Sequence, residues 1–305
     1  MPNYLKYSDE ELIKVLEIDA KTLARFKEIR AATIEEAKRL GQKKSGPIKV
    51  LGISGSARDV NDMAQEDSNT AELLKRCLKF CEQRGAKTEF ISLRDYNIKY
   101  CKACYSTTNT QCHFYCTCYQ RGTDRADDMS NIMYDKILEA DVIIFATPVN
   151  NFKISTLMAT FLDRCISLDG SLPPANPDSP KDKELNIKHT KFVQMNVDYD
   201  VPGSGFLRRF SGKVGGIITA GHEEGTSMAI SCLLMTLSHF GMLFPPFNNM
   251  YAMSSVCNST YADKPIVLGD CFDREIISLA ENLLLAAKQV RQGGAMDWKN
   301  DYSIN

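Results

Sequence analysis

Five of the chain's eleven cysteines fall within one polar stretch, YCKACYSTTNTQCHFYCTCY, between Tyr100 and Tyr119. Thiols at that density staple a chain, hold a metal or carry redox chemistry, and the surroundings decide which. Cys101 and Cys104 have the two-residue gap that lets both sulfurs face one ion or one cluster edge. Cys112, Cys116 and Cys118 follow, with a C-x3-C-x-C spacing. Zinc favours two compact pairs, which this second half fits less neatly, and His113 offers a nitrogen ligand. A 4Fe-4S cluster needs four thiolates from loops of loosely fixed spacing. A free or disulfide redox group is the third reading.

The bulk composition narrows the setting. With 305 residues and 44% hydrophobic content the chain can bury a packed core. A net charge of -1 and a pI near 6.4 give no footprint for nucleic acid or an anionic membrane. No apolar run approaches the ~20 residues that span a bilayer. The opening MPNYLKYSDEEL has no apolar signal core. The expectation is a cytoplasmic, reducing location, where clustered thiols bind metal or do redox work more often than they form structural disulfides.

Hydrophobic periodicity divides the chain in three. Residues 1–45 read as a helical N-terminal extension that packs on the main domain or on a second subunit, its helix spanning 8–42 with Ser8 and Glu11 as a capping box. Residues 46–294 alternate strands (48–54, 87–93, 141–148, 213–221 and one within 242–253) with helices (68–85, 127–140, 155–165, 226–241 and 273–294). Such alternation predicts right-handed βαβ units and a parallel sheet covered on both faces. Segment 166–212 interrupts it and is expected to be an elaborated loop or lid. Residues 295–305 form a tail holding Trp298. Cys77, Cys81, Cys165 and Cys232 sit in apolar helical faces as core packing, whereas Cys257 and Cys271 lie in or near loops. His239, near a helix end, reads as structural.

In open α/β sheets, ligands bind beyond the carboxyl ends of the strands. The first such loop, SGSARDVNDMAQEDSNT (54–70), has neither the Gly-Lys-Ser/Thr of a P-loop nor the G-x-G-x-x-G dinucleotide pattern. It carries Ser54, Ser56, Arg58, Ser68, Asn69 and Thr70 just before a helix N-terminus. Hydroxyls, backbone N–H groups and the helix dipole suit one phosphate monoester without magnesium. A hydroxyl-rich capped loop without a ligand is the plainer alternative.

Three separated segments carry a resemblance: GISGSAR…SNTAELL, ADVIIFATPVNNFKISTLMATFLDR and GKVGGIITAGHEEGTSMAISCLLMTLSHFGM. Together they resemble the NAD(P)H-dependent FMN reductase branch of the flavodoxin-like proteins. With the cysteine loop after the second strand, the chain is most similar to the iron–sulfur flavoproteins of anaerobes. The resemblance covers roughly 48–165 and 212–255. It implies an α/β, flavodoxin-like, doubly wound five-stranded parallel sheet that binds FMN. Ser54, Ser56, Arg58, Ser68, Asn69 and Thr70 would hold the phosphate. Pro148, Val149, Asn150, Asn151 and Phe152 would wrap the isoalloxazine, and Thr219, Ala220, Gly221 and His222 would close the third side.

The same resemblance implies a 4Fe-4S cluster on Cys101, Cys104, Cys112 and Cys118, with Cys116 close behind and zinc as the lesser alternative. It implies electron transfer between NAD(P)H or a ferredoxin-type donor and an acceptor, by cofactors and without a catalytic acid or base. A homodimer or homotetramer is expected. One rival is a plain NAD(P)H-dependent reductase of a quinone, nitro or other small organic compound, with zinc in the cysteine loop. The other is a non-catalytic thiol or metal redox sensor.

Overall fold

The computed structural model describes residues 5–42, 44–63, 65–104, 112–124, 126–198, 200–221, 225–253 and 260–293. His222, Cys257 and Trp298 lie outside these residues. The sheet is built from β1 (Lys49–Ser54), β2 (Lys87–Ser92), β3 (Val142–Asn150), β5 (Val214–Gly221) and β6 (Asn249–Met253), all parallel in the order β2-β1-β3-β5-β6. A two-residue strand, β4 (Lys153–Ile154), turns back antiparallel on the end of β3. This is the flavodoxin-like strand order, and it reverses between β1 and β3. The crevice expected there is flanked by the loops that leave those two strands.

Successive residues of a buried strand face opposite layers, so a continuous apolar run serves two cores. In β3, Ile143 and Phe145 join Met158, Phe161 and Leu233 under α4 (Tyr134–Glu139), α5 (Thr156–Cys165) and α7 (Thr226–His239). Val142 and Ile144 join Leu74, Leu279 and Leu283 under α3 (Asn69–Gln83) and α9 (Asp273–Gly293). Cys77, Cys81 and Cys165 are fully buried in these layers. Cys232 departs from expectation: it is exposed on the outer side of α7, whose apolar pattern runs round the helix, so periodicity could not single out its core face. Among the described residues, no helix is long and apolar enough to cross a membrane.

The predicted single helix of the extension is two, α1 (Asp9–Leu16) and α2 (Ala20–Gly41). Glu17 adopts a left-handed C-cap and Asp19 caps α2 by accepting from the Thr22 N–H at 2.7 Å. Segment 166–212 is a partner to these helices rather than a free lid, because it forms α6 (Lys183–Asn196), whose Phe192 and Val193 pack with Leu12, Leu16, Leu23 and Phe26. A further helix the periodicity did not reveal, α8 (Thr260–Leu268), precedes α9. Arg209, within 166–212, completes the attachment through a double hydrogen bond to Glu36 of α2 at 2.7 and 2.9 Å.

His189 sits inside this third core, 2% exposed, its ring 4.7 Å from Phe26. Burial holds its pKa down at about 3. The unfolded chain therefore takes up a proton near the ordinary histidine pKa that the folded chain refuses. Stability is expected to fall as pH drops below ~6.5, by on the order of 1.4 kcal/mol per unit from this residue. Urea unfolding at stepped pH checks it: His189→Phe should flatten that part of the acid limb.

Candidate functional site

The phosphate loop begins where β1 ends. Ser54, Ser56, Ser68, Asn69 and Thr70 are all buried, and Arg58 is half-buried. Ser68 caps α3, accepting from the Ala71 N–H at 3.5 Å, and Ser56 Oγ accepts from the Arg58 N–H at 3.2 Å. The chain thus presents hydroxyls and the positive end of α3 in one place, where an anion is stabilised. Gly55 has no room for a side chain: a Cβ there would lie 2.9 Å from both Met158 Cβ and Ser155 Oγ. That closeness lets Ser155 act twice. Its hydroxyl donates to the Gly55 carbonyl at 2.6 Å and accepts from the Met158 N–H at 3.1 Å, capping α5.

The second loop is a tight hairpin. Asn151 and Phe152 lie between β3 and β4 with φ of 51° and 63°, the positive pair that a type I′ turn requires. Asparagine tolerates that conformation, whereas a phenylalanine in it is strained, and Phe152 also stands exposed. Val149 is buried and Pro148 half-buried, while Asn150 is exposed. The hairpin meets the third loop directly, since a Cβ on Gly225 would lie 2.3 Å from Phe152 Cα. Thr219 and Ala220 are buried at the end of β5, with Gly221 half-buried. Thr219 Oγ1 is buried without a hydrogen-bond partner among the described residues, a polar atom with spare capacity at the flavin rim. These features fit FMN: buried hydroxyls at a helix N-terminus for the phosphate, and a narrow rim of backbone for the ring.

The cysteine loop leaves β2 at this same rim. Cys112 and Cys116 are buried, and Cys101, Cys104 and Cys118 half-buried. The Cys118 thiol donates to Cys104 Sγ at 3.6 Å. A hydrogen bond with Cys112, partly offset by that from Cys118, pushes the Cys104 thiol up to about 11. Cys116 is raised by its hydrogen bond with Cys118 and by burial, against the favourable charge of Arg164. Cys104, Cys112, Cys116 and Cys118 therefore form a chain of neighbours. Cys101 stands apart from it, accepting the Ala103 N–H at 3.4 Å. Among the described residues no three ligating side chains converge on one point. Crowded thiols that resist ionisation nevertheless fit a cation, because bound metal removes the repulsion that holds their protons on.

Two supports for this loop lay outside the sequence reading. Segment 166–212 runs beside it: the Phe114 N–H donates to Leu172 O at 3.1 Å, the Leu172 N–H to Cys112 O at 3.2 Å, and Ser167 Oγ to His113 O. His113 pairs with Thr117 Oγ1 at 2.6 Å, and burial lowers its pKa to about 4. Beneath the loop, Arg164 of α5 forms a buried double hydrogen bond with Asp127 at 2.7 and 2.9 Å. An arginine inside the apolar TLMATFLDRC helix was the available signal. Its partner, 37 residues away, was not.

The strand order, hydroxyl-rich first loop and hairpin define a flavodoxin-like, flavin-binding protein. The family model described as NADPH-dependent FMN reductase matches residues 48–188, and over this stretch the chain belongs to that family. It is also similar to iron–sulfur flavoproteins. One from Archaeoglobus fulgidus is 31% identical over 120 residues, 39% of this chain and 51% of its own length. One from Methanocaldococcus jannaschii is 32% identical over 118 residues, 38% of this chain and 51% of its own. The chain thus spans about half the length of these curated relatives. Among solved structures, RosB, captured with the bound intermediate 8-demethyl-8-formylriboflavin-5'-phosphate, has the same fold: TM-score 0.56, 18% identity and 81% of each chain covered.

Ser155→Ala should remove a buried cap and the tie to Gly55 together. The expected loss is about 1–2 kcal/mol in a denaturant series, with weaker retention of FMN through purification.

Proposed function

We propose that the chain is a flavin-dependent oxidoreductase that binds FMN and one 4Fe-4S cluster and passes electrons from NAD(P)H or a ferredoxin-type donor to an acceptor. The observation that carries this reading is the gathering of thiols at the rim that also bears the three flavin loops. FMN accepts electron pairs and releases electrons singly, and a cluster carries them one at a time. The chain's own residues then have positional tasks. Ser54, Ser56, Ser68 and Thr70 hold the phosphate, the Asn151–Phe152 turn borders the ring, and Thr219 offers it a hydroxyl. Of the five thiols, Cys104, Cys112, Cys116 and Cys118 are the better-connected set, which favours Cys116 over Cys101 as a ligand.

A second reading rests on two observations. The 3.6 Å between Cys104 and Cys118 sulfurs is close to the about 3.8 Å of two thiolates on one tetrahedral zinc. In addition, a groove of about 480 Å³ opens between α7 and β6, lined by Thr226, Ile230, Asn249, Tyr251 and Met253 among others and by no charged side chain. That groove suits a small, uncharged organic acceptor, as a plain reductase would need. Self-association fits either reading: α7 carries no Asp, Glu, Lys or Arg and exposes Met228 and Met235.

Anaerobic purification followed by iron, sulfide, zinc and flavin assays separates the readings. About four iron and four sulfide per chain beside FMN supports the first; stoichiometric zinc with no sulfide leaves the plain reductase. Serine substitutions made singly should lower iron content at Cys104, Cys112, Cys116 and Cys118 more than at Cys101.

A further inference from the structure

The cysteine loop rests on a buried cation. Arg164 is 1% exposed. Its Nη1 donates to Lys99 O at 2.9 Å and to Asp127 Oδ1 at 2.7 Å. Its Nη2 donates to Asp127 Oδ2 at 2.9 Å and to Ser130 Oγ at 3.2 Å. The guanidinium lies 4.6 Å from the centroid of the Tyr119 ring, and the Tyr119 hydroxyl donates to Tyr100 O at 2.9 Å. One side chain therefore grips the backbone just before Cys101 and the ring just after Cys118.

Two features exceed what an ordinary structural ion pair needs. The remaining donor, Nε–H, is buried with no partner among the described residues, although buried guanidinium donors are normally paired. Asp127 cannot take it, because both its oxygens are engaged, by Arg164 and by the N–H groups of Lys99 at 3.2 Å and Ser130 at 3.1 Å. The positive charge also reaches the thiol cluster, where it favours the ionised form of Cys116.

Resting on the reading that these thiols hold an iron–sulfur cluster, we propose that Arg164 is the positioning residue of that centre. Its fork clamps both ends of the cysteine loop, and its spare N–H and positive charge serve the cysteine-bound cluster. Four thiolates leave such a cluster with net negative charge, which grows by one when it takes up an electron. A fixed cation nearby stabilises the reduced form more than the oxidised one, so Arg164 raises the reduction potential. Asp127 holds the guanidinium in orientation from the other side.

The test uses the anaerobically purified holoprotein. Asp127→Asn with Arg164→Gln replaces the pair by two neutral amides and leaves no unpaired buried charge; Arg164→Lys keeps the charge and loses the fork and Nε–H. Iron, sulfide and FMN per chain are measured, then the cluster's midpoint potential by EPR-monitored titration. The double variant should keep FMN and give a more negative cluster potential, with Arg164→Lys between it and the wild type. If the double variant does not fold, a lowered potential in Arg164→Lys supports the proposal. An unchanged cluster potential in every variant that folds overturns it while leaving the electron-transfer reading intact. A wild-type chain with zinc or without iron overturns both, and that failure is visible before any variant is made.

Discussion

The site depends on one short helix being fixed at both ends. The first turn of α5 is tied to the phosphate loop, where the Ser155 hydroxyl meets the Gly55 carbonyl, and its last turn is tied to the cysteine loop by Arg164 and Asp127. Its ten residues rise about 15 Å, so the two candidate cofactor sites share a single rigid support. The two ties differ in kind. A buried hydroxyl cap is worth about 1–2 kcal/mol. A buried ion pair adds little net stability, yet removing one partner typically costs about 3–5 kcal/mol because the other charge is stranded. The pair thus fixes the loop's position more than it stabilises the fold.

Around that support the outer elements behave as buttresses. Segment 166–212 pairs with the cysteine loop through Leu172 and is itself held by the extension through Arg209 and Glu36. The Arg209 guanidinium also lies 4.2 Å from the Phe114 ring centroid, so it touches all three parts. The extension is therefore connected to the thiols by a short series of buried contacts, although it lies far from them in sequence.

The sheet, its flanking helices and the three loops at its rim were legible because each is encoded locally. Val142–Phe145 is a continuous apolar run, Ser68 precedes its helix, and the hydroxyls of 54–70 lie next to one another. What was not legible joins distant positions. The capping role of Ser155 could be read from the chain, but its bond to Gly55 depends on a close approach that only the packed fold creates. The pairing of Arg164 with Asp127, of Leu172 with the cysteine loop and of α6 with the extension are likewise products of tertiary packing. Cysteine spacing favoured Cys101 as a ligand, while the folded loop turns that sulfur toward its own backbone and groups Cys116 with the others.

The most direct test is whether the two centres exchange electrons. Anaerobic holoprotein is mixed rapidly with NADPH, and flavin absorbance and the EPR signal of the cluster are followed on quenched samples. If α5 holds both cofactors on one rim, reduction of the flavin should be followed by appearance of the reduced cluster within the same turnover. A flavin that bleaches and reoxidises repeatedly while the cluster stays oxidised would contradict the account.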